Sequence, residues 1–324
     1  MSDLDSVEFL TTVPLLEGMS EGELAELAHV MRRRTLSEGE LLWREGQEAK
    51  GMALIVDGRV LVSKRLPGDR AVEVAELGPG EALGEIPLVD GGEHSATVRV
   101  TESTTVLSLS RADFIGLVSR RHASAFGLKR RVAAVAAQRL RNQLGALAGS
   151  LGPETNGKPT PQPPHASLEL EFCGAPDSAY VRRMATFRAV DPLALWGFLT
   201  AGRYALCPPG KTLVSEGALS RACYLTINGA VEKVLIRGNR RIRVELAGPG
   251  QGFGYESMID GRPSPVAAIT RERALLLVLP ETSFERLFHG DSDVSHVFLD
   301  VINRSLAVSL RHALRPQARL AVGL

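Results

Sequence analysis

Glycines recur along this chain in two sets of matching intervals, and no other feature narrows its fold so far. In SEGELLWREGQEAKGMALIVDGRVLVSK, seven residues carry Gly39 to Gly46 and twelve carry Gly46 to Gly58. In PPGKTLVSEGALSRACYLTINGAVEKVL, the same seven and twelve link Gly210, Gly217 and Gly229. Further on, LGPGEALGEIPLVDGG (Gly78, Pro79, Gly80, Gly84, Asp90, Gly91) is answered by AGPGQGFGYESMIDGR (Gly248, Pro249, Gly250, Gly254, Asp260, Gly261). The offset is 171 residues as far as Gly229 and 170 from Gly248, so one residue has been lost between them. Turn residues repeated at fixed spacing over this length mark a duplicated domain.

Between the glycines lie short segments rich in aliphatic and β-branched residues: MALIV, RVLVSK, AVEVAEL, SATVRV and TTVLSLS, then CYLTI, AVEKVLI, RIRVEL, PVAAIT and ALLLVLP. Strands this short, joined by glycine turns, predict an antiparallel sandwich or jelly roll in each copy. Each roll is followed by residues at helical spacing: Val132, Val135, Ala136, Leu140, Leu144 and Leu147 in the first, and Val294, Val297, Phe298, Val301, Ile302, Leu306 and Leu310 in the second. These stripes fit either a core against the roll or the seam of a homodimer, and the length of the first favours the seam. At the front, Ser20 and Glu23 form a capping box that opens a helix.

The predicted fold is therefore mainly β with flanking helices, two tandem antiparallel β-rolls of jelly-roll type. The first domain spans 1–148 and ends in a long helix, the second spans 168–324, and the Pro- and Gly-rich stretch 149–167 links them. The sequence does not place residues 168–186, for which a strand and helix leading into the second domain is one option.

Charge and cysteine usage exclude several functions. With 38 basic against 37 acidic residues, no molecular field favours nucleic acid or an anionic membrane. The basic clusters at 31–35, 119–122, 128–131 and 237–243 are short, without interleaved aromatics, and read as solvated faces. Cys173, Cys207 and Cys223 have neither disulfide nor zinc spacing, which fits a reducing compartment. The start, MSDLDSVEFL, is acidic where a secretory leader is basic, and no apolar run nears the roughly 18 residues of a membrane span, so a cytoplasmic protein is expected. HGDSDVSH at 289–296 fits no zinc pattern and reads as the cap of the last helix. Glu45 and Glu216 fall in separate copies and are expected to be structural. No nucleophile elbow, phosphate loop or dinucleotide fingerprint is present, so no catalytic residue, metal or cofactor is expected, and the protein is read as a non-enzyme.

The stretch LGPGEALGEIPLVDGGEHSATV resembles the cyclic nucleotide-binding domain superfamily, of the catabolite activator protein and protein kinase A regulatory subunit type. The resemblance covers about residues 13–145 and again 187–314. It implies a short helix, entered through Gly84, Glu85 and Ile86, whose N-terminal amides face a cyclic phosphate, with Glu85 accepting from the ribose 2′-hydroxyl. It also implies an arginine on the phosphate, followed by small residues. Ser95 and Ala96 match the latter, while His94 stands at the arginine position. Imidazole titrates near pH ~6.5 and lacks the arginine fork, and one lost charge-assisted contact costs about 1.5–3 kcal/mol. His94 is thus either a pH-dependent phosphate contact or a surface residue on a retired site, and Glu85 either a ribose contact or a charge favourable to the helix dipole.

In the second copy Gly254 is kept, but Tyr255 takes the glutamate position with Glu256 one residue later, and Ser264 takes the arginine position between Pro263 and Pro265. That pocket is expected to be degenerate. The implied function is regulatory: a first domain with a weak or altered nucleotide pocket, no DNA-binding domain after either roll, and output through an unidentified protein partner, with homodimerisation through the C-terminal helices. The alternative is an interaction adaptor that reuses the fold and binds no cyclic nucleotide.

Overall fold

A computed structural model describes residues 3–65, 71–150, 170–237 and 240–321. The first copy runs α1 (Asp3–Thr11), α2 (Glu21–Val30), β1 (Arg32–Leu36), β2 (Leu41–Trp43), β3 (Gly51–Asp57), β4 (Val60–Arg65), β5 (Ala71–Leu77), β6 (Ala82–Leu83), α3 (Glu85–Asp90), β7 (Thr97–Val100), β8 (Thr104–Ser110), α4 (Arg111–Ser119) and α5 (Ala123–Ser150). The second runs β9 (Glu171–Cys173), α6 (Ser178–Arg182), α7 (Pro192–Leu199), β10 (Arg203–Cys207), β11 (Thr212–Val214), β12 (Ala222–Asn228), β13 (Val231–Arg237), β14 (Arg240–Ala247), β15 (Gly252–Phe253), α8 (Glu256–Asp260), β16 (Ala267–Thr270), β17 (Ala274–Pro280), α9 (Glu281–His289) and α10 (Asp293–Ala321).

Each copy is a roll of two antiparallel sheets. The first has the orders β1-β8-β3-β6 and β2-β7-β4-β5; the second has β9-β10-β17-β12-β15 and β11-β16-β13-β14. Twelve of the repeated glycines, among them Gly46, Gly58, Gly84 and Gly91 with their partners Gly217, Gly229, Gly254 and Gly261, sit at positive φ, where a side chain is strained. The repeat is legible because those turns have little alternative to glycine. Val60 pairs Leu77 and Val231 pairs Ala247, so the offset changes from 171 to 170 across this hairpin and the lost residue falls inside it.

The inward faces close separate cores. Leu36, Ile55, Val60, Leu83, Val98, Val100 and Val106 fill the first, and Leu213, Tyr224, Val231, Phe253, Ala268 and Leu276 the second. The capping box forms as expected: Ser20 accepts from the Glu23 N–H while the Glu23 carboxylate accepts from the Ser20 N–H at 2.8 Å. Within 170–186 the chain forms β9 and α6, and β9 joins the edge of the second roll by pairing with β10. Ser292 accepts from the Ser295 N–H at 3.2 Å at the start of α10, which is the capping role expected of that segment.

Packing divides the chain into Met1–Val132 and Ala133–Leu324, a boundary inside α5 rather than in the expected linker, most of which, 151–167, lies outside the described residues. The apolar stripes also need correction as a seam. Leu140, Leu144 and Leu147 on α5, and Val301, Ile302 and Leu306 on α10, are buried within a single chain, so the side chains proposed to join two copies are already covered.

Candidate functional site

In the first copy the chain leaves β6 through Gly84, which caps α3 in the left-handed region at φ 73° and ψ 14°. A Cβ there would lie 2.9 Å from the Gly51 carbonyl oxygen, 3.2 Å from Trp43 and 3.3 Å from the His94 ring. Conformation and space both demand glycine. Pro87 sits in the first turn, where a missing N–H costs the helix little, and the Leu88 N–H donates to the Gly84 carbonyl at 3.1 Å. The amides of Glu85 and Ile86 therefore precede the first intrahelical bond, with the positive end of the short helix behind them. The other end is held by Arg111, whose Nη1 donates to the carbonyls of Pro87 at 3.2 Å and Leu88 at 3.1 Å. Gly91, without a side chain, leaves room for that guanidinium.

His94 lies against this entrance. Its N–H donates to the Gln47 carbonyl and its own carbonyl accepts from the Gly46 N–H, both at 2.9 Å. Its ring stacks on Trp43 with centroids 4.2 Å apart and planes 4° from parallel. Only 5% of the residue is exposed, so the surface placement allowed by the sequence is corrected: packing against an indole has taken the imidazole out of water. Burial also lowers its pKa from the ordinary histidine value. Glu85 is buried as well, at 2% exposure, Ile86 is half-buried, Ala96 is buried and Ser95 is exposed. The structure thus brings Gly84 and His94 together, adds Trp43 and Arg111, which the sequence reading missed, and leaves Ser95 at the surface. A signal for Trp43 existed: one of the chain's two tryptophans stands two residues before the Glu45-Gly46 turn.

The second copy repeats the backbone with different contents. The Ser264 N–H donates to the Ala218 carbonyl at 2.8 Å and its carbonyl accepts from the Gly217 N–H at 2.9 Å, the frame that holds His94, so the two residues are equivalent. The Ser264 hydroxyl turns away to the Val266 carbonyl at 2.8 Å. Gly254 again adopts the left-handed region, facing Val214 and Tyr224 where the first copy has Trp43 and His94. Tyr255, wholly buried, caps α8, and burial raises its phenol pKa.

Behind α8 lies a buried ion network that the sequence reading did not find. Lys233 and Glu245 face each other across β13 and β14, with Nζ 3.2 Å from a carboxylate oxygen. The same ammonium lies 3.5 Å from Glu256 on α8 and donates to the Ser309 hydroxyl of α10 at 2.9 Å, and that hydroxyl donates to Glu245 at 2.6 Å. Burial acts to lower the Lys233 pKa, but Glu245, Tyr255 and Glu256 outweigh it and hold the ammonium charged. Both strands carry several other charged residues, so nothing along β13 or β14 alone singles out Lys233 and Glu245.

Two further features of the second unit and the rolls place earlier expectations. Arg141 grips the far end of α8, with Nε and Nη2 on the Asp260 carboxylate at 2.8 and 2.9 Å and Nη1 on the Pro263 carbonyl at 2.6 Å. Glu45 accepts from the Arg65 N–H at 2.8 Å and Glu216 from the Ile236 N–H at 2.7 Å, so each fastens a strand of its own roll. Among the described residues no group of histidine, cysteine and acidic side chains could hold a metal ion, and no helix is long and apolar enough to cross a membrane.

Comparison with known proteins places these elements. The profile of the cyclic nucleotide-binding domain matches residues 33–121 and 206–291. The cyclic AMP receptor protein of Thermus thermophilus is 33% identical over 128 residues, 40% of this chain and 57% of that protein. A cyclic nucleotide-gated potassium channel of Mesorhizobium japonicum is 34% identical over 112 residues, 35% of this chain and 30% of the channel. The chain thus spans little more than half, or less, of these relatives' lengths. Among solved structures, the regulatory domain of Toxoplasma gondii PKA, co-crystallised with cAMP, aligns over 89% of this chain and 93% of its own at 19% identity, with a TM-score of 0.34.

Proposed function

The chain belongs to the cyclic nucleotide-binding domain family, with two tandem copies of that domain, and from this premise we propose that it is a non-enzymatic regulatory protein whose first roll keeps a weakened cyclic nucleotide pocket. The second roll serves without nucleotide, and output passes through contacts with a partner protein in the cytoplasm. The observation that carries this reading is the first entrance itself. Gly84 and the amides of α3 are in place, Glu85 stands at the head of the helix, and the arginine position holds a neutral, stacked imidazole.

A phosphate at that entrance meets the helix N-terminus but no permanent cation, a deficit of about 1.5–3 kcal/mol, or roughly tenfold to a hundredfold in affinity. Weak binding follows rather than none. The second reading, an adaptor that takes no nucleotide, draws on the same imidazole, because its ring lies beside Gly84 where the family places a side chain that reaches the ligand.

Calorimetric titration of the full chain with cAMP and cGMP separates the two readings. The expected result is weak binding to the wild type and binding at least tenfold tighter to His94→Arg, with Glu85→Ala weakening both. If neither protein binds either nucleotide, the pocket reading fails and the adaptor stands.

A further inference from the structure

We propose that the second roll carries its own ligand: the Lys233 ammonium, buried between α8, β14 and α10, holds α10 closed over the second cassette, the segment 252–260 that runs from β15 through α8, without nucleotide. This rests on the reading that the second copy takes no cyclic nucleotide. The observations come from comparing equivalent positions. Lys233 and Glu245 form a cross-strand pair, and the matching pair in the first copy is Val62 and Ala75. Aligning the starts of α5 and α10 puts Val135 opposite Ser305 and Arg139 opposite Ser309. Ser305 accepts from the Gly252 N–H at 2.8 Å, at the entry to the second cassette, and Ser309 bonds both Lys233 and Glu245. One helix face, at i and i+4, therefore carries two polar anchors whose counterparts in the first copy are of another kind.

A single cation joining three elements does what a bound ligand does: it gives each element a partner that it loses on separating. Glu256 of the cassette, Glu245 of the sheet and Ser309 of the helix all converge on Nζ. The side chains of Lys233, Glu245 and Glu256 are each at most 3% exposed, so opening α10 would strip the ammonium of a donor–acceptor partner before water could replace it. Removing one member of such a set is costly, whereas replacing all of its charged members by neutral residues is close to neutral for folding. That asymmetry supplies the test, since the first copy's own Val and Ala show which replacements the fold accepts.

Hydrogen exchange of the full chain should be followed at the amides of 301–313 on α10 and compared with β12 and β17. In Ser309→Ala, exchange along α10 should quicken about fivefold, the size of one net hydrogen bond. In Lys233→Val with Glu245→Ala and Glu256→Gln, which leaves no buried charge behind, it should quicken at least tenfold, while β12 and β17 keep their wild-type rates. The lock is overturned if α10 exchanges at wild-type rates in these variants, or if it quickens only in step with β12 and β17. Should the triple variant not fold, Ser309→Ala alone decides by the same criterion. Saturating cAMP and cGMP should leave α10 of the wild type unchanged. Slowing there would overturn both the lock and the nucleotide-free reading of the second copy, whereas unaltered α10 rates in the variants overturn the lock alone.

Discussion

Acid should loosen the first roll through His94, and the structure sets the sign. Burial against Trp43 puts the folded pKa of His94 below that of an unfolded histidine, ~6.5. Between those values the unfolded chain holds a proton that the folded chain lacks. Stability from the neutral stack is therefore complete above about pH 6.5 and is lost as the pH falls. The loss approaches about 1.4 kcal/mol per pH unit while only the unfolded state is protonated, and it stops growing below the folded pKa. For a unit of this size that corresponds to roughly 3–6 °C of melting temperature per pH unit. His94→Phe keeps an aromatic on Trp43 but cannot titrate. Scanning calorimetry of both chains from pH 7.5 to 5 should give curves parallel above pH 7 that diverge below 6.5, the wild type falling faster. Other acid-sensitive groups, such as the Glu26 carboxylate, whose partial burial is outweighed by hydrogen bonds that hold its pKa below the ordinary value, are common to both chains and cancel in the difference. Curves that stay parallel throughout, or a wild type that gains on the variant in acid, would refute the reasoning. The same sign moves any acid-strengthened phosphate binding from near 6.5 to lower pH, because the proton must first enter a buried stack.

Two further outcomes follow from single contacts. Gly84→Ala should cost the first roll about 1–3 kcal/mol, because its left-handed backbone is strained for alanine and its Cβ meets the Gly51 carbonyl; Gly39→Ala, at φ 83° with no atom within 4 Å, should lose only the conformational part, as chemical denaturation of each variant will show. Arg141→Ala should destabilise the second unit by about 1.5–3 kcal/mol through the lost Asp260 fork, and a double-mutant cycle with Asp260→Ala should return most of that as coupling; additive losses would show that the fork is idle.

The fold was largely legible because glycine at positive φ is a backbone requirement written in one letter. Gly46, Gly58, Gly84 and Gly91, with their four partners, all meet that requirement, so their spacing carried the roll and its duplication. The candidate site was legible only at its backbone. Gly84 and Glu85 could be read from the cassette, but the state of His94 depends on Trp43, 51 residues earlier, brought alongside by the pairing of Trp43 with Val98. Nothing local in EHSAT tells a solvated imidazole from a stacked one. Lys233 and Glu245 were hidden for a related reason. They meet across the hairpin that lost a residue, and reading along either strand shows a charge without showing its partner. The helical stripes told apolar from polar faces, yet periodicity does not say what covers an apolar face, and the seam expected at Leu140 and Leu144 is covered within the chain.

The two copies also act as controls for each other, which limits where their functions can differ. At the equivalent positions 94 and 264 the same pair of backbone hydrogen bonds is made, and at 84 and 254 the same left-handed glycine. A difference in ligand binding therefore cannot come from the scaffold at these points. It must come from the side chains placed on it: Trp43 against Val214, His94 against Ser264, Val62 and Ala75 against Lys233 and Glu245. In the first set no charge lies across the hairpin, and the one polar ring at the entrance is neutral. In the second set a charged pair is already satisfied by its neighbours, and a phosphate arriving beside Glu256 would meet a cation whose bonds to Glu245 and Ser309 it would first have to break. Buried pairs are costly to separate, so under the function proposed above the second roll is expected to resist an anionic ligand while the first merely lacks a strong hold on one.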